Sequence, residues 1–166
     1  MKDFPIRVSE GTAGLLGLKP VRAAALPTTA YLMLGEDCPR DCAFCSQGRS
    51  SSGRAGMLSR VTWPEYQLDD VLAALGDAIR KGLVERICLQ TVAGGQTLNR
   101  LRELLPVLAA RLPGCKGVPV SSSVYIRDLA ALDELFTLGL DRAGIAIDAA
   151  SPQVYRDVKQ GDLTQA

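Results

Sequence analysis

Histidine is absent from the 166-residue chain. Its absence removes Ser-His-Asp and Cys-His nucleophilic machinery, axial-His haem and His-ligated zinc together. A surplus of one charge is also lacking. Nineteen Lys and Arg against 18 Asp and Glu leave a formal charge of +1, too balanced to grip nucleic acid or an anionic membrane, so neither is expected as a partner. No apolar run reaches the roughly 18 residues that a membrane-spanning helix requires. The amino terminus, with acidic Asp3 and a broken apolar stretch, makes a poor signal peptide. Acid–base or metal chemistry is therefore left to Cys, Asp, Glu, Lys, Tyr or a bound cofactor. Of five cysteines, three fall within eight residues. An odd, clustered set suits thiolates kept reduced in the cytoplasm for metal binding better than a disulfide framework.

At 47% hydrophobic and 22% charged residues the chain has an ordinary globular composition. Its regular elements alternate. Residues 30–34 (AYLML) are a short apolar strand ended by Gly35. Thr62 and Glu65, three apart around Pro64, predict a capping box, followed by Leu68, Val71, Leu72, Leu75 and Ile79 at helical spacing until Gly82. Residues 85–91 predict a second strand. Leu98, Leu101, Leu105, Leu108 and Leu112 predict a second helix that Pro106 should kink or split. A third strand is expected near 117–124, a helix with Leu129, Leu132, Leu135 and Phe136 on one face, a fourth strand over 143–148, and a last helix started by Ser151-Pro152. Gly48 to Gly56 reads as a mobile loop.

Four strand–helix repeats predict an α/β fold with parallel strands and right-handed crossovers. Ligands in such sheets and barrels bind at the carboxyl ends of the strands, here the loops starting at Gly35, Val92, Tyr125 and Ala149.

The decisive feature follows the first strand: Cys38-Pro-Arg-Asp-Cys42-Ala-Phe44-Cys45. Thiolates separated by three and two residues can wrap one side of an iron–sulfur cube, whose complete protein ligation takes four cysteines. Three ligands leave one iron open, and a metal with an open position does chemistry. A tetrahedral zinc site would need Cys88 or Cys115 as its fourth ligand.

This CxxxCxxC, with an aromatic before its last cysteine and placed after the first strand of a βα series, resembles the radical S-adenosylmethionine enzymes. The resemblance implies a parallel (β/α) partial TIM-type barrel. It also implies a [4Fe–4S] cluster on Cys38, Cys42 and Cys45, with S-adenosylmethionine chelated at the fourth iron and cleaved to a 5′-deoxyadenosyl radical. Phe44 matches the family's aromatic beside the adenine. Gly94-Gly95-Gln96 matches the segment that receives the amino group of the cofactor, with Gln96 where Glu is common. Taken alone, the same residues are a flexible strand–helix turn.

Ser121 and Ser123 share a strand face. If that face is the barrel interior, their hydroxyls serve the cofactor's carboxylate or the substrate; on an edge strand they are merely solvated. Asp148, before Ser151-Pro152, resembles the fourth-strand Asp of biotin synthase-type enzymes that contacts ribose, and is otherwise a loop or capping Asp. Cys88 stands where biotin synthase-like enzymes carry a ligand of an auxiliary cluster, the sulfur donor. The third-strand partner cysteine is not matched, and a buried apolar role is the commoner one. Arg49, Arg54 and Arg60 could meet an anionic substrate or simply solvate their loop, while Trp63 and Tyr66 are expected to pack the following helix.

The resemblance runs from about Thr28 to Tyr155 and is closest to the biotin synthase and lipoyl synthase-like branch, through Cys45-Ser-Gln47, the Leu58–Pro64 stretch and the region around Asp148. It implies sulfur insertion at an unactivated C–H bond, on a small-molecule or carrier-bound substrate, with electrons from a flavodoxin or ferredoxin. Other radical reactions and a non-catalytic iron–sulfur fragment remain as alternatives. Residues 1–29 are expected to be a helical extension and 30–166 the core. Four βα units are fewer than the family's six, so the barrel is expected to be truncated after the fourth.

Overall fold

The computed structural model describes residues 4–35, 38–53, 56–112, 117–125 and 128–160. Its central sheet has six strands in the order β5-β1-β2-β6-β7-β8, where β1 is Pro5–Val8, β2 Thr29–Leu34, β5 Glu65–Gln67, β6 Arg86–Thr91, β7 Val120–Ser123 and β8 Arg142–Gly144. The run β2-β6-β7-β8 is parallel; β1 joins β2 and β5 antiparallel. The result is a mixed α/β fold with a mostly parallel sheet. Two further strands, β3 (Met57–Leu58) and β4 (Val61–Thr62), form a separate hairpin. Among the described residues, no helix is long and apolar enough to cross a membrane.

Alternation along the parallel strands separates two faces. Ala30, Leu32 and Leu34 of β2, Ile87 and Leu89 of β6, and Ser122 of β7 face the main core. The buried Ser122 is accommodated because its hydroxyl donates to the Leu89 carbonyl at 3.1 Å. Helices α2 (Leu68–Arg80) and α3 (Thr97–Arg111) cover that face with Leu68, Val71, Leu72, Leu75, Leu101, Leu104, Leu105 and Leu108. Gly82, at φ +68°, ends α2 in the left-handed conformation that glycine adopts without steric cost. The opposite face, carrying Tyr31, Met33, Cys88, Gln90, Ser121 and Ser123, is the one that leads to the cysteine loop.

Four local expectations are corrected. Thr62 and Glu65 form no capping box: α2 starts at Leu68, and Glu65–Gln67 pairs with Pro5–Arg7 instead. The Thr62 hydroxyl donates to Glu10 at 2.5 Å, so cross-chain pairing overrides the local helix signal. Pro106 does not split α3. It sits on the exposed side of the helix, where water can satisfy the carbonyl that its missing N–H leaves unpaired. In α4 (Leu129–Thr137) the buried residues are Ala131 and Leu135, while Leu129 is 77% exposed and Phe136 is half-exposed. The fourth strand stops at Gly144, leaving Ile145 and Ile147 at 65% and 88% exposure.

The first 29 residues contribute more than a helix. Strand β1 enters the sheet beside β2, and α1 (Glu10–Leu15) is capped by Ser9, whose hydroxyl oxygen accepts from the Thr12 N–H at 3.3 Å. Thr12 in turn accepts from the Tyr31 N–H at 2.9 Å, fastening the helix to β2. At the carboxyl end, Ser151 caps α5 (Pro152–Lys159), with Pro152 in the first turn as expected.

Candidate functional site

The cysteine loop leaves β2 through Gly35, which holds φ +103°. A Cβ there would meet the Val92 Cβ at 2.9 Å and the Thr97 hydroxyl at 3.1 Å, so both the turn and its close packing require glycine. The Gly35 carbonyl accepts from the Arg7 guanidinium at 2.5 Å. Met33, Trp63 and Val92 form a small apolar cluster, with Cys38 and Leu58 packed on it. Trp63 thus supports the loop, whereas Tyr66 packs on the main core.

Short bonds then shape the loop itself. The Cys45 N–H donates to the Cys42 carbonyl and the Gly48 N–H to the Cys45 carbonyl, both at 3.0 Å. Asp41 accepts from the Ser50 N–H at 2.9 Å. Hydrogen bonds from the Ser50 hydroxyl and N–H, with a smaller pull from Arg49, hold the Asp41 carboxyl below its usual range. Ser46 and Gln47 both donate to the Met57 carbonyl, at 2.6 and 2.7 Å, which ties the loop to the β3–β4 hairpin.

Cys38, Cys42 and Cys45 line one cavity of about 340 Å³, within the roughly 300–1,000 Å³ of small-molecule sites. The loops after all four parallel strands reach it, through Cys38 after β2, Val92 and Ala93 after β6, Tyr125 after β7, and Ile145 and Asp148 after β8. The last starts earlier than the expected Ala149 because β8 ends at Gly144. Phe44, Ser123, Tyr155 and Lys159 also line it. The Lys159 ammonium forms an ion pair with Asp148 and lies 5.8 Å from the centroid of the Phe44 ring. Burial opposes the charged lysine. The Asp148 carboxylate outweighs that cost, with help from Cys42 and Tyr155, and raises the Lys159 pKa. Burial raises the Cys42 thiol, as do the neighbouring Cys45 and Cys38, against the pull of Lys159 and Arg40.

Among the described residues, no three Cys, Asp or Glu side chains converge closely enough to clasp a single metal ion. A mononuclear thiolate site draws each sulfur to about 2.3 Å from one centre. A polynuclear cluster offers its irons as separate corners, each taking its own thiolate. Cys38, Cys42 and Cys45 line the same cavity, and three thiolates are a donor set that an iron–sulfur cluster can take.

The remaining candidates divide. Gly94 and Gly95 line an adjoining cavity of about 250 Å³. That cavity shares Arg40, Thr91, Val92, Ala93, Val124 and Tyr125 with the first. Gln96 is exposed at the amino end of α3, hydrogen-bonded to Asn99 at 3.2 Å, and lines neither cavity. Ser123 accepts from the Thr91 N–H at 3.0 Å. Ser121 and Cys88 face each other across β6 and β7 but lie outside both linings. The Ser121 hydroxyl donates to the Ile87 carbonyl at 3.3 Å, and the Gln90 amide donates to the Cys88 sulfur at 3.2 Å. Arg49 and Arg60 are exposed and line neither cavity; Arg54 and Cys115 lie outside the described residues.

Arg40, Tyr155 and Lys159 escaped the sequence reading as site residues, and Tyr125 entered it only as the start of a loop. Tyr155 and Lys159 are one helical turn apart, and that i, i+4 spacing was the available signal. For Arg40 the only hint was its place between two ligand-spaced cysteines.

A family model described as the Radical SAM superfamily matches residues 32–166. No curated protein matches the chain.

Proposed function

Because the chain belongs to the radical SAM superfamily, we propose that it is a radical enzyme holding one [4Fe–4S] cluster through Cys38, Cys42 and Cys45 and binding S-adenosylmethionine beside it. The observation that carries this reading is the three thiols on one cavity to which the loops after all four parallel strands contribute. When bound, such a cluster supplies the electron that cleaves the sulfonium and releases a 5′-deoxyadenosyl radical able to abstract hydrogen from substrate.

The chain's own residues divide the remaining tasks. The cysteines hold the cluster and leave one iron without a protein ligand. Phe44, beside Lys159, offers a face for the adenine. Asp148 accepts the ribose hydroxyls, since a carboxylate has about four acceptor positions and Lys159 leaves several of them. Gly94 and Gly95 let backbone approach the amino acid end closely. Ser123 offers a hydroxyl to the cofactor or substrate. In this reading the parallel run from β2 to β8 is an arc of a partial TIM-type barrel, with residues 30–166 as the core. The enzyme works in the cytoplasm and draws electrons from a flavodoxin or ferredoxin.

The narrower proposal is sulfur insertion of the biotin or lipoyl synthase type, supported by the Cys45-Ser-Gln47 and Ser151-Pro152 stretches. A second reading, another radical reaction without an auxiliary sulfur donor, is favoured by Cys88 facing Ser121 rather than a second cysteine. Anaerobic reconstitution with iron and sulfide tests the core proposal. The reduced protein should show a paramagnetic cluster signal that shifts when S-adenosylmethionine is added, and should form 5′-deoxyadenosine. Protein that takes up no cluster, or one indifferent to S-adenosylmethionine, would overturn it.

A further inference from the structure

The side chain of Arg40, between two of the cysteines in sequence, bonds to two distant tyrosines. Its guanidinium carbon lies 4.3 Å from the centroid of the Tyr125 ring, and Nη2 donates to the Tyr125 hydroxyl. Nη1 donates to the Tyr155 hydroxyl at 3.3 Å. These partners lie 85 and 115 residues further along the chain, one just beyond the end of β7 and the other buried on α5. The backbone repeats the connection to α5, since the Ala43 N–H donates to the Val158 carbonyl at 2.9 Å, while the bond from the Arg49 N–H to the Arg40 carbonyl, at 3.0 Å, closes the loop on itself.

We propose that Arg40 is a positioning residue that docks the cysteine loop onto β7 and α5, so that tyrosines far outside the motif set how the three thiols are presented. The inference rests on the reading that those thiols are the cluster ligands. A loop that must bring three side chains to one object loses backbone entropy for each ordered residue. A prior anchor pays that cost before the ligand arrives. Arginine suits this task because its planar fork can stack on one ring and still direct separate N–H groups to two acceptors. Lysine has neither the plane nor the fork.

The test begins with reduced, metal-free protein, so it does not depend on cluster chemistry. Iodoacetamide labelling of Cys38, Cys42 and Cys45 is timed by mass spectrometry, with Cys88 in the sheet as internal reference. Arg40→Ala should speed labelling of the loop thiols roughly fivefold to tenfold, the factor expected for losing a partly buried cation–aromatic contact and its hydrogen bonds, while Cys88 is unchanged. Arg40→Lys should behave like the alanine variant. Adding Tyr125→Leu and Tyr155→Phe to Arg40→Ala should add nothing further. Loop thiols that label at the wild-type rate in Arg40→Ala would overturn the proposal. If Cys88 accelerates equally, the substitution has loosened the sheet. The Tyr125→Leu/Tyr155→Phe pair with Arg40 intact then decides: faster loop labelling sustains the docking role, and an unchanged rate ends it. Iron retention after reconstitution is measured in parallel. A wild-type protein that holds no cluster defeats the cluster proposal alone, since the labelling rates still judge Arg40.

Discussion

Lys159 and Asp148 pair on the wall of the cysteine cavity, joining the last turn of α5 to the loop that follows β8. The ion pair holds the carboxylate at the cavity lining, and one lysine partner does not use all of its roughly four acceptor positions. Asp148→Asn keeps the size of the side chain and removes its charge. It should weaken S-adenosylmethionine binding to the reconstituted protein about tenfold, or ~1.4 kcal/mol, as expected for one charge-assisted hydrogen bond. Equilibrium dialysis under anaerobic conditions measures this, and an unaltered affinity would take Asp148 out of the site.

The cysteines make a sharper comparison. Cys42→Ala should abolish stable cluster uptake, whereas Cys88→Ala should leave it at about four irons per chain. Cys88 lies outside the cavity lining and already accepts a hydrogen bond from Gln90. Iron and sulfide analysis of both variants decides, and a drop in Cys88→Ala would instead make that residue a ligand of a second cluster.

Gly35 gives a stability test at the entrance to the loop. Alanine there must hold φ +103° while its Cβ meets the Val92 side chain at 2.9 Å. Gly35→Ala should cost about 1–3 kcal/mol in urea denaturation and reduce cluster uptake, because the turn sets the direction in which Cys38 leaves the strand. Wild-type stability in this variant would show that the turn relaxes freely.

The hydrogen bond from Lys19, with that from Thr62 and the lysine's charge, lowers the Glu10 pKa below its ordinary 4.5. A carboxyl whose folded pKa is depressed favours the native state above its unfolded pKa, and that contribution is lost as pH falls through the lower, folded value. Side-chain carbon NMR should place the Glu10 midpoint below that of an ordinary glutamate, and Lys19→Met should move it upward. A midpoint unaffected by that substitution would mean the contact does not persist in solution.

Local patterns carried much of this fold. The spacing of Leu68, Val71, Leu72 and Leu75 marked the buried face of α2, and Ser151-Pro152 marked the start of α5, because capping and amphipathic periodicity depend on residues within one or two turns. The Cys38, Cys42 and Cys45 spacing likewise brought three thiols to one cavity, since adjacent turns of one loop can carry several side chains to one place. The same local logic failed where a distant partner made the stronger claim. Thr62 and Glu65 had the form of a helix cap, but the free backbone edge of β1 drew Glu65–Gln67 into the sheet.

The amino acid order by itself determined the three-cysteine spacing, the absence of histidine chemistry, and the strand–helix alternation that puts loops at the carboxyl ends of the strands. Tertiary structure alone decided that Arg40 meets Tyr125 and Tyr155, that Lys159 pairs with Asp148, and that Cys88 and Ser121 lie outside the cavity. The reason is physical: those relationships depend on strand register and on where α5 comes to rest, and neither is encoded within a few residues of the side chains concerned.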